Sequence, residues 1–218
     1  MRKLIYVLVA IVALGTASCS KSMSQYDKEI DQAEKMMLSN PDSALSMLDA
    51  IDASELKIDS LWAKYHFIKG YGHLKRNRSM IGDSLIIYAH DYYRGKNLVR
   101  DIRSGIVLAW YKFWVGDTPG AMTMLDSLAG LPDVPDSLMT QTLRIRVMLG
   151  ASEYQGQQLI PYAKKLHELE TDSLRKIEAN YMLLTAYEYA GETDSALYLL
   201  DQLVDYARNH HWGDKHFM

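Results

Sequence analysis

The sequence predicts an all-α chain, folded as a solenoid of about five antiparallel helix hairpins. Three observations predict it. The pattern small–Ala–apolar–x–apolar–Leu–Asp occurs three times, at Ser43–Asp49, Gly120–Asp126 and Ser195–Asp201, with its alanines (Ala44, Ala121, Ala196) 77 and 75 residues apart. Half that spacing is about 38 residues, the length of a two-helix repeat. Asp-Ser pairs recur seven times, at Asp42, Asp59, Asp83, Asp126, Asp136, Asp172 and Asp194. All but the one at Asp126 stand at the start of a run with helical periodicity, where short oxygen-bearing side chains satisfy orphan N–H groups. Finally, no alternating apolar–polar run of the strand type appears beyond the N-terminal segment.

Residues 1–18 stand outside that pattern. Arg2 and Lys3 precede an apolar run of 12 residues, Leu4 to Gly15, which ends in the small residues Thr16-Ala17-Ser18 before Cys19. Such a layout is that of a secretory signal peptide. As a helix the run would extend about 18 Å, short of the roughly 30 Å hydrocarbon core, so it is not expected to be a permanent span. Cys19 is the single cysteine; an intrachain disulfide is therefore impossible. Ala17-Ser18-Cys19 resembles the lipobox of bacterial lipoproteins, with Thr16 where leucine is commonest. The resemblance implies diacylglycerol on the Cys19 thiol, cleavage before it, and residues 19–25 as a lipidated tether. Ser20, where aspartate would signal inner-membrane retention, implies the outer membrane, at its periplasmic face rather than the cell surface.

The repeat domain is expected over 26–218, with hairpins pairing 26–39 with 42–51, 57–76 with 80–94, 97–115 with 119–129, 136–152 with 156–169, and 173–190 with 194–209. Pro41, Pro119 and Pro135 sit at or just before helix starts, where a missing N–H costs nothing. The last hairpin is the clearest. Its first helix carries Leu174, Ile177, Tyr181 and Leu184, and its second carries Ala196, Leu199, Leu200, Leu203 and Ala207, both with the 3.6-residue period. Gly191 between them is a C-cap position and Thr193-Asp194 an N-cap signal.

Tyr187-x-x-x-Gly191-x-x-x-x-Ala196 resembles the tetratricopeptide-repeat core motif, and Gly116-x-x-x-x-Ala121 matches its latter half. The resemblance covers about residues 25–210. It implies a right-handed solenoid in which the motif alanine is small because the two helices of a hairpin touch there. It also implies an interaction scaffold, not an enzyme.

Motifs that carry chemistry are scarce. There is no Gly-x-Ser-x-Gly, no His-Glu-x-x-His and no phosphate-cradling glycine loop after a strand. Glu168 and Glu170 are two residues apart and would point to different faces of a helix. His210, His211, Asp214 and His216 crowd the C-terminus, without the spacing of a metal site. No catalytic residue, cofactor or metal is expected. A formal charge of −3 argues neither way on nucleic acid, and the export signal argues against it.

Charge is unevenly spread. Between Lys64 and Lys112, ten basic residues face three acids, a local excess of seven positive charges, with tyrosines and Trp110 interleaved. A groove along the first helices of stacked hairpins would place Tyr65, Lys69, Arg76, Tyr92, Arg94, Arg100, Arg103 and Tyr111 against a partner. The expected partner is an envelope protein or peptide segment, acidic in character. The alternatives are that these residues pack and solvate the array, that the chain is a sensory ectodomain, or that it is a carbohydrate-binding lipoprotein. Oligomeric state is not fixed by the sequence.

Overall fold

The computed structural model describes residues 21–153 and 156–209. Residues 1–18, Cys19 and the histidine-rich tail from His210 lie outside the described residues. Ten α-helices are present among the described residues: α1 Met23–Met36, α2 Pro41–Asp49, α3 Asp59–Lys75, α4 Leu85–Tyr93, α5 Leu98–Trp114, α6 Thr118–Ala129, α7 Asp136–Ser152, α8 Gly156–Leu169, α9 Ser173–Ala190 and α10 Thr193–Asn209. No strand occurs among them. The five expected hairpins are all formed.

Their ends follow from local chemistry. Asn40, Asn97, Asp117 and Asp172 cap α2, α5, α6 and α9 by accepting a backbone N–H through the side chain. Of the Asp-Ser aspartates, only Asp172 is such a cap. Asp42, Asp59, Asp136 and Asp194 instead lie in the first turn of their helices, where a carboxylate still complements the dipole. α9 ends at Gly191, which adopts φ +76° and lets Glu192 N–H reach the Tyr187 carbonyl at 2.9 Å. Glycine enters that left-handed conformation without a Cβ penalty.

Three boundaries differ from expectation by three residues or more, one of them the end of the first helix, at Met36 rather than 39. The first helix begins at Met23, capped by Ser22 Oγ accepting from Gln25 N–H at 3.2 Å, so the expected tether of 19–25 is shortened by the helix. The second helix of hairpin two begins at Leu85 rather than 80. Met80 is fully buried as an anchor of the preceding loop, and Gly82 turns that loop at φ +98°.

Helices of odd number pack side by side in succession, α1 on α3, α3 on α5, α5 on α7 and α7 on α9. Each even-numbered helix packs on its own hairpin mate, and α2, α4, α6 and α8 pack also on the first helix of the next hairpin. The buried side chains form three clusters, a large one over the first three hairpins and two smaller ones in the last two, with half-buried Val134, Tyr162 and Met182 packed between them. Ala44 and Ala121 are fully buried and Ala196 nearly so, as a helix-crossing residue must be. At the start of α8, a Cβ on Gly156 would come within 2.6 Å of the Tyr189 carbonyl oxygen, so only glycine lets α8 approach the end of α9. Among the described residues no helix is long and apolar enough to cross a membrane.

Candidate functional site

Most of the basic excess turns out to be spent inside the stack. Lys64 Nζ lies 2.7 Å from Asp27 and 2.5 Å from Asp31. Lys69 reaches Asp49 at 2.8 Å, while Arg76 and Arg78 share Asp42 at 3.1 and 2.9 Å. Arg100 Nη2 donates to Glu34 Oε2 at 2.8 Å and its guanidinium lies 5.2 Å from the centre of the Phe67 ring. Every one of those acids belongs to the first hairpin. Pairing holds the Arg100 guanidinium protonated against the burial that opposes it. Arg94 pairs with Asp91 within its own turn, and Lys112 with Asp117 at 2.6 Å.

The aromatic candidates divide similarly. Tyr65 is buried, with its hydroxyl donating to the Leu48 carbonyl at 3.3 Å. Tyr111 is half-buried against the core. Tyr92 meets Tyr93 edge-on at 5.2 Å, carries Lys96 Nζ 3.8 Å above its ring, and lines a hollow of about 480 Å³ with Met23, Ile58 and Lys64. The eight expected residues therefore do not form one face.

Three of the ten cations have no acidic partner among the described residues: Lys75, Lys96 and Arg103. Two of them, Lys75 and Arg103, line the same cavity of about 300 Å³ on the layer of first helices. α3 supplies Tyr71, Leu74 and Lys75, with Asn77 just beyond its end; α5 supplies Arg103 and Ile106; α7 supplies Gln141, Arg144, Ile145 and Met148. Arg103 Nε is buried there without a hydrogen-bond partner. Lys75 Nζ stands 5.4 Å over the Tyr71 ring. Arg144, by contrast, is answered by Glu170 and by Glu178, the latter at 2.8 Å.

The cavity thus has an apolar floor (Leu74, Ile106, Ile145, Met148), two uncompensated cations and two amides. It can take an apolar side chain flanked by a carboxylate. It holds no nucleophile–base pair. Among the described residues no cluster of three or more His, Cys, Asp or Glu is placed to hold a metal ion. Sequence reasoning found Arg103 but missed the contribution of α7, because nothing local in 136–152 announces that it faces Lys75. The repeat register does carry a signal: Gln141 sits five residues into α7 as Arg103 does into α5.

The chain is similar in fold to the crystal structure of a Podosopora anserina kinesin light chain with nearly identical TPR-like repeats. The superposition has a TM-score of 0.66 at 12% identity and covers 88% of this chain and 98% of that one. No family model matches the sequence, and no curated protein matches it either. The fold is tetratricopeptide-like.

Proposed function

We propose that this tetratricopeptide-like array is a non-catalytic scaffold that captures a protein or peptide segment in the α3–α5–α7 cavity, and that it works lipid-anchored in a bacterial envelope through Cys19. The observation that carries the first half is the pair of unanswered cations, Lys75 and Arg103, over an apolar floor. A buried cation without a counter-ion is costly to a fold. Arg103 is only half-buried, but its Nε is shielded and unpartnered, and a ligand carboxylate would complete it. The ligand is accordingly an acidic segment with an apolar side chain beside its carboxylate. The anchor reading rests on Ala17-Ser18-Cys19 and the apolar run before it.

Reversing both cations (Lys75→Glu with Arg103→Glu) is expected to weaken capture in affinity purification from the native envelope by about tenfold or more. Lys69→Glu with Arg76→Glu, which alters charges already answered internally, should leave capture nearly unchanged if the variant remains folded. Equal loss in both double variants, or none in the first, would reject the cavity. For the anchor, Cys19→Ala should move the protein from the membrane to the soluble fraction. A variant still sedimenting with membranes would refute acylation at that residue.

A further inference from the structure

The repeated motif ends in an aspartate, and two of its three copies use that aspartate in the same way. Asp49, at the end of α2, accepts from Lys69 Nζ of α3 at 2.8 Å. Asp126 of α6 accepts from Arg146 Nε of α7 at 2.7 Å. Lys69 and Arg146 each lie ten residues after the first residue of their helix. The apolar positions before the aspartate are buried in both copies. Leu45 and Leu48 are 2% and 0% exposed, and Met122 and Leu125 are 7% and 0%. Leu45 seats so closely on α3 that a Cβ on Gly72 would lie 2.7 Å from its Cδ2. Each junction is therefore an apolar pair locked by one ion pair.

The third copy has the same residues, and among the described residues no further helix lies upon them. Leu197 and Leu200 are 53% and 43% exposed, against near-zero for their counterparts, and Val204 continues the stripe. Asp201, the counterpart of Asp49 and Asp126, is exposed and has no cation on it among the described residues. The spacing 197, 200, 204 is that of a helix-packing seam.

We propose that this face of α10 is a docking site for an amphipathic helix of a partner protein, bearing a lysine or arginine opposite Asp201 and a small or apolar residue three places further on. It is a second site, independent of the α3–α5–α7 cavity. The chemistry of the occupant is read from the two filled junctions: Lys69 with Gly72 and Arg146 with Leu149 are the pairs that α2 and α6 receive. The first helix of a second copy, α1, does not supply them. It exposes Ser24, Gln25, Asp27, Lys28, Gln32 and Lys35, which bring no apolar surface.

The chain's own α7 provides the probe. A fluorescent peptide of residues 136–152, and the same peptide with Arg146→Glu, are titrated with the purified protein. The wild-type pair is expected to bind saturably. Asp201→Lys should weaken it by about tenfold, as loss of a 1.4 kcal/mol contribution would, and should regain affinity with the Arg146→Glu peptide. Leu200→Ser should weaken both pairings, whereas Lys75→Glu with Arg103→Glu should change neither. All substituted side chains are at least partly exposed, and circular dichroism verifies folding. Absent saturable binding, binding indifferent to Asp201→Lys, or a wild-type protein that sediments as a dimer and becomes monomeric with Leu197→Asp would overturn the proposal.

Discussion

Asp126→Ala is expected to destabilise the protein by about 3 kcal/mol or more, while Arg146→Met costs far less. The two substitutions break the same ion pair and differ in what they leave behind. Arg146 is 4% exposed, held between Asp126 at 2.7 Å and the Tyr162 ring, whose centre is 4.5 Å from the guanidinium carbon. Its Nη1 already lacks a partner. Removing Asp126 strands a buried cation whose desolvation is no longer offset. Removing Arg146 leaves a carboxylate that is 40% exposed and can turn to water, and methionine fills much of the vacated volume. Urea denaturation of both variants measures the contrast. Equal losses would mean that the pair contributes through packing alone, and the proposed hairpin lock would be lost.

Acid is expected to weaken the fold between about pH 6.5 and 4. His66 on α3 is half-buried among Trp62 and Tyr65, with ring centres 4.4 and 4.9 Å away, and its Nε2 has no hydrogen-bond partner. Burial first, and then Lys69, push its pKa down from 6.5 to about 4, with Asp83 opposing weakly. The unfolded chain therefore binds a proton in that interval that the folded chain refuses. Stability is complete above the unfolded value, falls as pH drops through the interval, and levels off below the folded value. Such a shift corresponds to about 2–3 kcal/mol at most, since the ring retains some solvent access. Buried His90, whose pKa burial also lowers while Asp101 raises it, adds in the same direction. His66→Phe should flatten most of the slope in pH-dependent thermal melts. An unchanged slope would show that carboxylates dominate it.

Much of the fold was legible because each hairpin carries its own signals. The thrice-repeated motif, the prolines at helix starts and Gly191 all act within a few residues, so helix number and pairing could be read directly. The start of α4 could not, since Met80 is apolar in either state and only its burial in the core removes it from the helix. The site was read less well. Lys64, Lys69, Arg76 and Arg100 looked like a binding surface because their partners (Asp27, Asp31, Asp49, Asp42, Glu34) lie 20 to 66 residues upstream in sequence. A local charge excess measures supply, and only tertiary pairing shows what is left over. Arg103 was found because it is one of the few that remain. Tyr65 was misplaced for a related reason: a tyrosine in a helical repeat has the same spacing in the core as at a groove.

The stacking of each hairpin on its predecessor can be tested on the unmodified protein by zero-length carbodiimide cross-linking and peptide mass spectrometry. Amide bonds are predicted between Lys64 and Asp27 or Asp31, and between Lys69 and Asp49, all joining the second hairpin to the first within one molecule. Intramolecular links from Lys64 or Lys69 to acids of the last hairpin, such as Glu188 or Asp194, would contradict the linear array.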